Sequence, residues 1–332
     1  MSNETIRGRS FSVDLVICTY NNAVLLENTL ESIAGLQVSP HINWSVLVVD
    51  NNCTDHTADI VNACIKKNLF SISMITEPKQ GLTNARLCGV RNSNAEWIAF
   101  IDDDCLLAPD WITEAETFIA SHPSCGLFGS RIQLLWEKTP PSFVTQFPFA
   151  FAGKNHGDIA KKVKAVAGAG MVIKRTILEQ SGWTKEPLLA DRIGNNLVSG
   201  GDMEIAIRVG ALCEVWYNPD CKLQHIIPER RTTKKYLQRM LFGLGASRHN
   251  VAALTWEGSY FSWFLYTCVY SIGMLGLCLT NYMNHKQRGA GLKTLISPYF
   301  GWNAAMFSML KQNRQRREAI IGCIKKQTLI NQ

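Results

Sequence analysis

Up to about residue 125 the chain switches back and forth between two hydrophobic periods, and no other feature restricts its fold as strongly. Residues 13–19 (VDLVICT) form a β-branched apolar run, and Leu25, Leu26, Thr29, Leu30 and Ile33 then recur at helical spacing between Asn21 or Asn22 and Gly35. Residues 45–49 (SVLVV) repeat the strand signal, and Asp55 opens a helix carrying Ile60, Val61 and Cys64. Residues 70–76 predict a third strand, 81–92 a third helix and 97–101 (WIAFI) a fourth strand. Strand–helix alternation of this length implies an α/β chain with a mostly parallel, doubly wound sheet and right-handed crossovers.

Beyond that point the pattern is irregular. A strand is expected over 126–135, then a loop with Pro140, Pro141 and Pro148, the segment VKAVAGAGMVIK, a second loop (LLADRIGNNLVSGG) and a short helix over 202–209. Residues 1–240 are expected to form the catalytic domain and 241–332 a basic, apolar helical region. The net charge of +7 conceals this division: residues 222–332 hold 16 Lys and Arg against 3 acids, and the rest hold 18 against 24. The basic part lacks the interleaved aromatics or binding motif that nucleic acid would require. Instead it surrounds residues 258–284, which contain no Asp, Glu, Lys, Arg or His. That combination suggests a membrane surface, with a buried helical hairpin as the alternative. Eleven scattered cysteines without a CxxC pair, and a start without an apolar signal core, predict reduced thiols facing the cytosol.

In an open parallel sheet, ligands bind beyond the carboxyl ends of the strands, and the polar residues of the first half gather there. The strand ends bring Thr19, Tyr20 and Asn21; Asp50 and Asn52; Gly81, Asn84 and Arg86; and the triplet Asp102, Asp103 and Asp104. Asn22, Asn51, Thr54 and Asp55 suit turn and cap positions. Three adjacent carboxylates repel one another unless a cation, hydrogen bonds or raised pKa values relieve them. Strand alternation turns Asp102 and Asp104 toward one ligand and Asp103 elsewhere. Hard oxygen donors suit Mg or Mn, which take further ligands from substrate phosphates, so a diphosphate-bearing substrate is expected. No GxxxxGK[ST] loop, GxGxxG after the first strand, GxSxG elbow or HExxH helix is present.

Taken in order, CTYNN, VVDNNCTDHT, EPKQGLTNARLCGV, WIAFIDDDCLLAPDWI and SGGDMEIAIR resemble the family 2 glycosyltransferases of the GT-A fold, over roughly residues 12–240. The resemblance implies a nucleotide-sugar-binding sheet, with Thr19, Tyr20, Asn21 and Asp50 lining the nucleoside pocket and Arg86 near the nucleotide. It places Asp102 near ribose and metal and makes Asp104 a metal ligand. Asn52, Gly81, Asn84, Asp103 and Arg231 complete the expected donor site. His225 resembles a late histidine that completes the metal shell, the alternative being a structural role. Arg230 and Arg231 would neutralise the departing diphosphate; a basic face toward lipid explains Lys234, Lys235 and Arg239 equally well. SGGDMEIAIR resembles the region of the acceptor-activating base, commonly GED followed by another acid. Asp202 keeps the base position, Gly201 replaces the acidic neighbour, and Glu204 is a candidate substitute. Asp202 also suits a helix N-cap. Gly170 stands where the family often has Asn.

The expected activity is thus metal-dependent, inverting transfer of a sugar from a nucleotide diphosphate donor to a hydroxyl acceptor, lipid-linked or saccharide, in surface polysaccharide synthesis. Alternatives are transfer to polyprenyl phosphate, which needs no base, and a non-catalytic nucleotide-binding scaffold on a membrane. Residues 258–284 are long enough to span a bilayer. The second uncharged stretch, 294–310, contains Pro298, and the connection between them carries Lys286, Arg288 and Lys293. A crossing would put those cations outside, against the positive-inside tendency. Two interfacial or re-entrant helices on the cytosolic leaflet of the inner membrane are therefore expected, with a transmembrane hairpin as the alternative.

Overall fold

The computed structural model of the chain describes residues 11–189, 191–194, 197–283 and 289–323. Asn284, Lys286 and Arg288 of the expected connection lie outside them. The chain groups into two compact units. One comprises Met1–Gln133, Lys154–Gln180 and Cys213–His225; the other comprises Leu134–Gly153, Ser181–Leu212 and Ile226–Gln332.

The first unit is built on the expected alternation: β1 (Ser12–Thr19), α1 (Ala23–Ala34), β2 (Asn43–Asp50), α2 (Thr57–Lys67), β3 (Ile72–Thr76), α3 (Leu82–Asn92) and β4 (Trp97–Asp102). Val13, Leu15, Val16 and Ile17 of β1 and Val46, Val48 and Val49 of β2 are buried, as befits central parallel strands covered on both faces. One carboxylate starts two helices. Asp55 accepts from the Ala23 N–H of α1 at 3.0 Å and from the Thr57 N–H of α2 at 3.1 Å.

Next come β5 (Cys105–Leu107), α4 (Trp111–Ser121), β6 (Cys125–Trp136), the one-turn α5 (Ser142–Thr145), β7 (Lys161–Lys162), β8 (Met171–Lys174), α6 (Arg175–Gln180), α7 (Gly201–Gly210) and β9 (Glu214–Ile227). Strand order is β3-β2-β1-β4-β8-β6-β9-β5, with β7 on β9. The pairs β1·β2, β1·β4 and β2·β3 are parallel, but β4·β8, β6·β8, β5·β9 and β7·β9 are antiparallel. The sheet is therefore mixed: its parallel character holds for the first four strands, and the described pairs of the later ones are antiparallel. Register sets Thr19 opposite Asp50, and Cys18 opposite Asp102, so three parallel strands end level with one another.

The second unit centres on α8 (Lys234–Leu254), α9 (Tyr260–Met283), α10 (Leu292–Leu295), α11 (Ser297–Lys311) and α12 (Arg314–Ile320). Thr233 caps α8 by accepting from the Tyr236 N–H, and Asn313 caps α12 through the Arg316 N–H. Glycines let α8 and α11 touch backbone to backbone. A Cβ at Gly301 would lie 1.9 Å from the Phe242 carbonyl oxygen, and one at Gly245 would lie 2.0 Å from that of Pro298. Along 294–310, Gly301, Trp302, Ala305, Met306 and Met309 bury one face of α11 in protein, while Phe300 and Phe307 stay exposed. The proline-bearing loop differs from expectation, because Val144, Phe147, Ala150 and Phe151 join a core with Leu237 and Met240.

Candidate metal and donor site

Chain geometry at the end of β4 assembles the first cluster. β4 stops at Asp102, residues 103–104 turn, and β5 starts at Cys105, which pairs with His225 of β9. Ligand atoms of Asp102, Asp104 and His225 consequently all lie within 4.8 Å of one another. Asp104 and His225 are buried, with Nε2 of His225 3.1 Å from Oδ1 of Asp104, and Asp102 is half-buried. Asp102 and Asp104 converge as expected, but through the turn, since Asp104 is not on the strand. Two carboxylates and an imidazole so close together fit a hard divalent cation, with oxygen donors for Mg or Mn.

Asp103 points into the fold. Its carboxylate accepts from the Thr19 hydroxyl at 2.7 Å and from the Asn22 amide at 2.8 Å. Burial, and next the charge of Asp104, push its carboxyl above the usual carboxylate range, against the pull of those hydrogen bonds. Asp103, expected among the donor-binding residues, therefore ties the end of β1 to the acidic turn.

The loops after β1 and β2 are interlocked. Asn21 and Asn52 adopt positive φ (52° and 66°), a region that asparagine tolerates. Asn21 Oδ1 accepts from the Thr54 N–H at 2.7 Å, and Asp50 Oδ1 from the Cys53 N–H at 2.7 Å. The Asn52 amide donates to the Pro78 carbonyl at 2.8 Å. Asn51, read from sequence as a turn residue, is buried and sews the loop after β3 in place. Its amide donates to the carbonyls of Glu77 and Lys79, and its oxygen accepts from the Gly81 N–H at 2.7 Å. The Asn84 amide donates to the Gln80 carbonyl. Tyr20 is exposed.

Arg86 is buried, its guanidinium 5.2 Å from the centre of the Phe100 ring. A Cβ at Gly168 would lie 2.2 Å from Nη2 of Arg86, so Gly168 makes room for it. Cys53 counts in the sequence only as one of the scattered thiols. Its sulfur accepts from the Asn21 N–H at 3.3 Å, and burial pushes the thiol up to about 11. Gly170 has φ +70°, and a Cβ there would lie 2.5 Å from Leu223 and 2.6 Å from the Ser130 hydroxyl; glycine at this position is a backbone requirement.

The second acidic group belongs to the helical unit. Helix α7 begins at Gly201 with Gly200 at the N-cap and no side-chain cap, so Asp202 sits inside the first turn instead of capping it. Asp202 Oδ1 accepts from the Met203 N–H at 2.8 Å. Glu204 is fully buried, pairs with Arg208 at 2.8 Å and accepts from the backbone N–H groups of Leu188 and Leu189. Burial raises its pKa, opposed by Arg208 and those N–H donors. As a substitute base Glu204 is ill placed: its oxygens are engaged, and it fastens the segment before α7. A Cβ at Gly201 would meet buried Asp191 Oδ2 at 2.7 Å. Arg231 is half-buried on a 3-10 turn, Glu229–Arg231.

Similarity to known proteins agrees with this architecture. The succinoglycan biosynthesis protein ExoM of Rhizobium meliloti is 23% identical over 266 residues, spanning 79% of this chain and 81% of its own. A glucosyl-dolichyl phosphate glucuronosyltransferase of Haloferax volcanii is 24% identical, spanning 71% of this chain and 76% of its own. Among solved structures, the mannosyltransferase PcManGT of Pyrobaculum calidifontis, in complex with GDP-Man and Mn2+, superposes with a TM-score of 0.54. It is 17% identical and covers 96% of this chain and 84% of its own. Residues 14–182 match Glycosyl transferase family 2. The chain belongs to that family and is a nucleotide-sugar-dependent glycosyltransferase of the GT-A fold.

Proposed function

We propose that the chain catalyses inverting, metal-dependent transfer of a sugar to a hydroxyl group of a lipid-linked or polysaccharide acceptor, at the cytoplasmic face of the membrane, in surface polysaccharide synthesis. The observation that carries this is the convergence of Asp102, Asp104 and His225 at the end of β4. Names of relatives lend support: one acts in succinoglycan biosynthesis, another on a glucosylated dolichyl phosphate, and the mannosyltransferase was solved with Mn2+ and a nucleotide sugar.

Asp102, Asp104 and His225 would hold the cation, which when bound offsets negative charge on the donor diphosphate. Thr19, Tyr20, Asn21, Asp50, Asn52, Gly81 and Asn84 shape the pocket for the nucleoside. Buried Arg86 supplies positive charge from within the sheet unit, and Arg231 adds charge for the departing group. Asp202 takes the proton of the acceptor hydroxyl. The acceptor oxygen bonds to the anomeric carbon from one face, and the carbon–oxygen bond to phosphate breaks on the other, its electron pair leaving with the nucleoside diphosphate. One displacement inverts the anomeric centre.

The deciding measurement is calorimetric titration of nucleoside diphosphates and nucleotide sugars in Mn or Mg, on wild type and Asp104→Asn. The variant should lose cation-dependent affinity while keeping its melting temperature. Equal cation-dependent affinity in both proteins sinks the metal assignment.

A further inference from the structure

Helix α9 has two unlike apolar faces. Along one, Trp263, Thr267, Ser271, Met274 and Cys278 are buried at spacings of four, four, three and four, a single stripe. That stripe is locked to the rest of the helical unit. The Trp302 indole N–H of α11 donates to the Thr267 carbonyl at 3.2 Å, the Ser271 hydroxyl to Asn303 Oδ1 at 3.0 Å, and Tyr270 stacks on Trp302 at 4.2 Å. From Trp263 to Cys278 the locked stripe runs about 22 Å.

The opposite face is left open. Phe261, Leu265, Val269, Ile272, Leu279 and Met283 are between 46% and 75% exposed and fall on one stripe, with Gly276 filling the remaining turn. Soluble surfaces rarely present so long an apolar strip without a partner. Cations flank the helix on its other sides: Arg317 of α12 lies 5.3 Å over the Tyr260 ring at the start of α9, and exposed Arg248 of α8 lies 5.3 Å over Tyr270. Residues 222–332 carry 16 Lys and Arg against 3 acids, while α9 itself carries no charge.

We infer that α9 lies in the plane of an anionic lipid leaflet, its Phe261–Ile272–Met283 stripe among the acyl chains and the neighbouring arginines at the headgroups. By length and composition α9 is able to cross a bilayer. Crossing would carry its locked stripe inward together with Arg248, His249 and Asn303, or else strip away those contacts and expose Trp263 and Met274. Lying flat buries the open stripe and breaks nothing. The inference rests on the membrane assignment proposed above but not on the sugar chemistry, and its test uses no transfer assay.

The full chain is mixed with phosphatidylcholine vesicles with and without phosphatidylglycerol. Wild type should float with the anionic vesicles and release by about tenfold or more on raising the salt. Val269→Glu combined with Ile272→Glu should weaken partition about a hundredfold while leaving the melting temperature unchanged, because both side chains face outward. An environment-sensitive fluorescent amino acid is then placed singly at Phe261, Ile272 and Met283, and its depth is read by lipids quenching at graded positions. Equal, shallow depth at all three supports an in-plane helix. A deep Ile272 between two shallow ends overturns it in favour of a span. Failure to float, with concentration-dependent self-association relieved by the Glu variants, overturns it in favour of a second copy of the chain.

Discussion

At the turn after β4, Asp102 and Asp104 converge on His225, whereas on α7 the carboxylate of Glu204 is taken up by Arg208 and two backbone N–H groups. Glu204 and Asp104 are both buried acids beside one positive or imidazole partner, and Asp102 is half-buried. They differ in what is left over. Glu204 meets one full charge with another and spends its remaining acceptor capacity on backbone donors, so it has nothing to offer a ligand. Asp102 and Asp104 bring two carboxylates to one imidazole, an imbalance that a divalent cation corrects. Charge balance, more than acidity, separates a binding site from a staple.

The largest effect expected from this contrast lies at Asp202, which shares α7 with Glu204 but is only half-buried. Asp202→Asn should lower the turnover number about 10²–10⁴-fold with donor affinity and melting temperature nearly unchanged, as removal of a proton acceptor alone requires. Parallel loss of donor binding and folding would make Asp202 structural like its neighbour.

Glu204→Ala should act in the opposite sense. It strands buried Arg208 and two backbone N–H groups, so it should cost about 3–5 kcal/mol in chemical denaturation. Adding Arg208→Leu to Glu204→Leu should recover part of that loss. If neither variant shifts the denaturation midpoint while activity collapses, Glu204 is a reacting group after all and the contrast fails.

Legibility in the sequence followed the range of the interactions. The parallel half could be read because each strand is a buried apolar run and each helix carries its own period, signals that are local. Antiparallel β8 and β9 could not, since what defines them is pairing with strands far along the chain. Val144, Phe147 and Phe151 were hidden among prolines, and the protein-facing side of α11 could not be read because Gly301 shows its purpose only against α8 and Trp302 only against α8 and α9. At the site, Asp102 and Asp104 were recognisable as part of an acidic triplet, and His225 only through the family resemblance. The inward turn of Asp103 and the engagement of Glu204 depend on partners at other positions, Thr19 and Asn22 for one, Leu188 and Leu189 for the other. Asn51 passed for a turn residue, and Cys53 for one of eleven scattered thiols, because their roles lie in donors and acceptors on neighbouring loops.

A buried base tests the same rule of charge balance. His249 of α8 is enclosed by Trp263 and Trp302, with ring centres 5.3 Å and 5.1 Å away, and its only described side-chain hydrogen-bond partner is Asn250. Burial lowers its pKa from 6.5 to about 4. Because the folded pKa is depressed, the folded chain resists the proton that the unfolded chain accepts. Stability present above pH 6.5 should therefore be lost as pH falls from 6.5 toward 4, by about 3 kcal/mol in all. Denaturation midpoints across that window, compared with those of His249→Leu, isolate the contribution. A variant with the same pH slope as wild type would assign the acid sensitivity elsewhere.

The smallest effect concerns Asp103, the acid of the triplet that faces inward. Thr19→Val preserves shape but removes the hydroxyl that donates to it at 2.7 Å, leaving the Asn22 amide as its remaining described side-chain donor. Losing one hydrogen bond to a half-buried carboxyl costs about 1 kcal/mol, which should appear as a lower denaturation midpoint. Thr19 also closes β1 level with Asp50, so the acidic turn should loosen and donor affinity in Mn or Mg should fall several-fold, far less than in Asp104→Asn. Asp103→Asn, which keeps shape and accepts from Thr19 through its amide oxygen, should retain most of that affinity. An effect of Asp103→Asn as severe as that of Asp104→Asn would show that the charge of Asp103 acts on the ligand, and the inward acid would then belong with the open cluster.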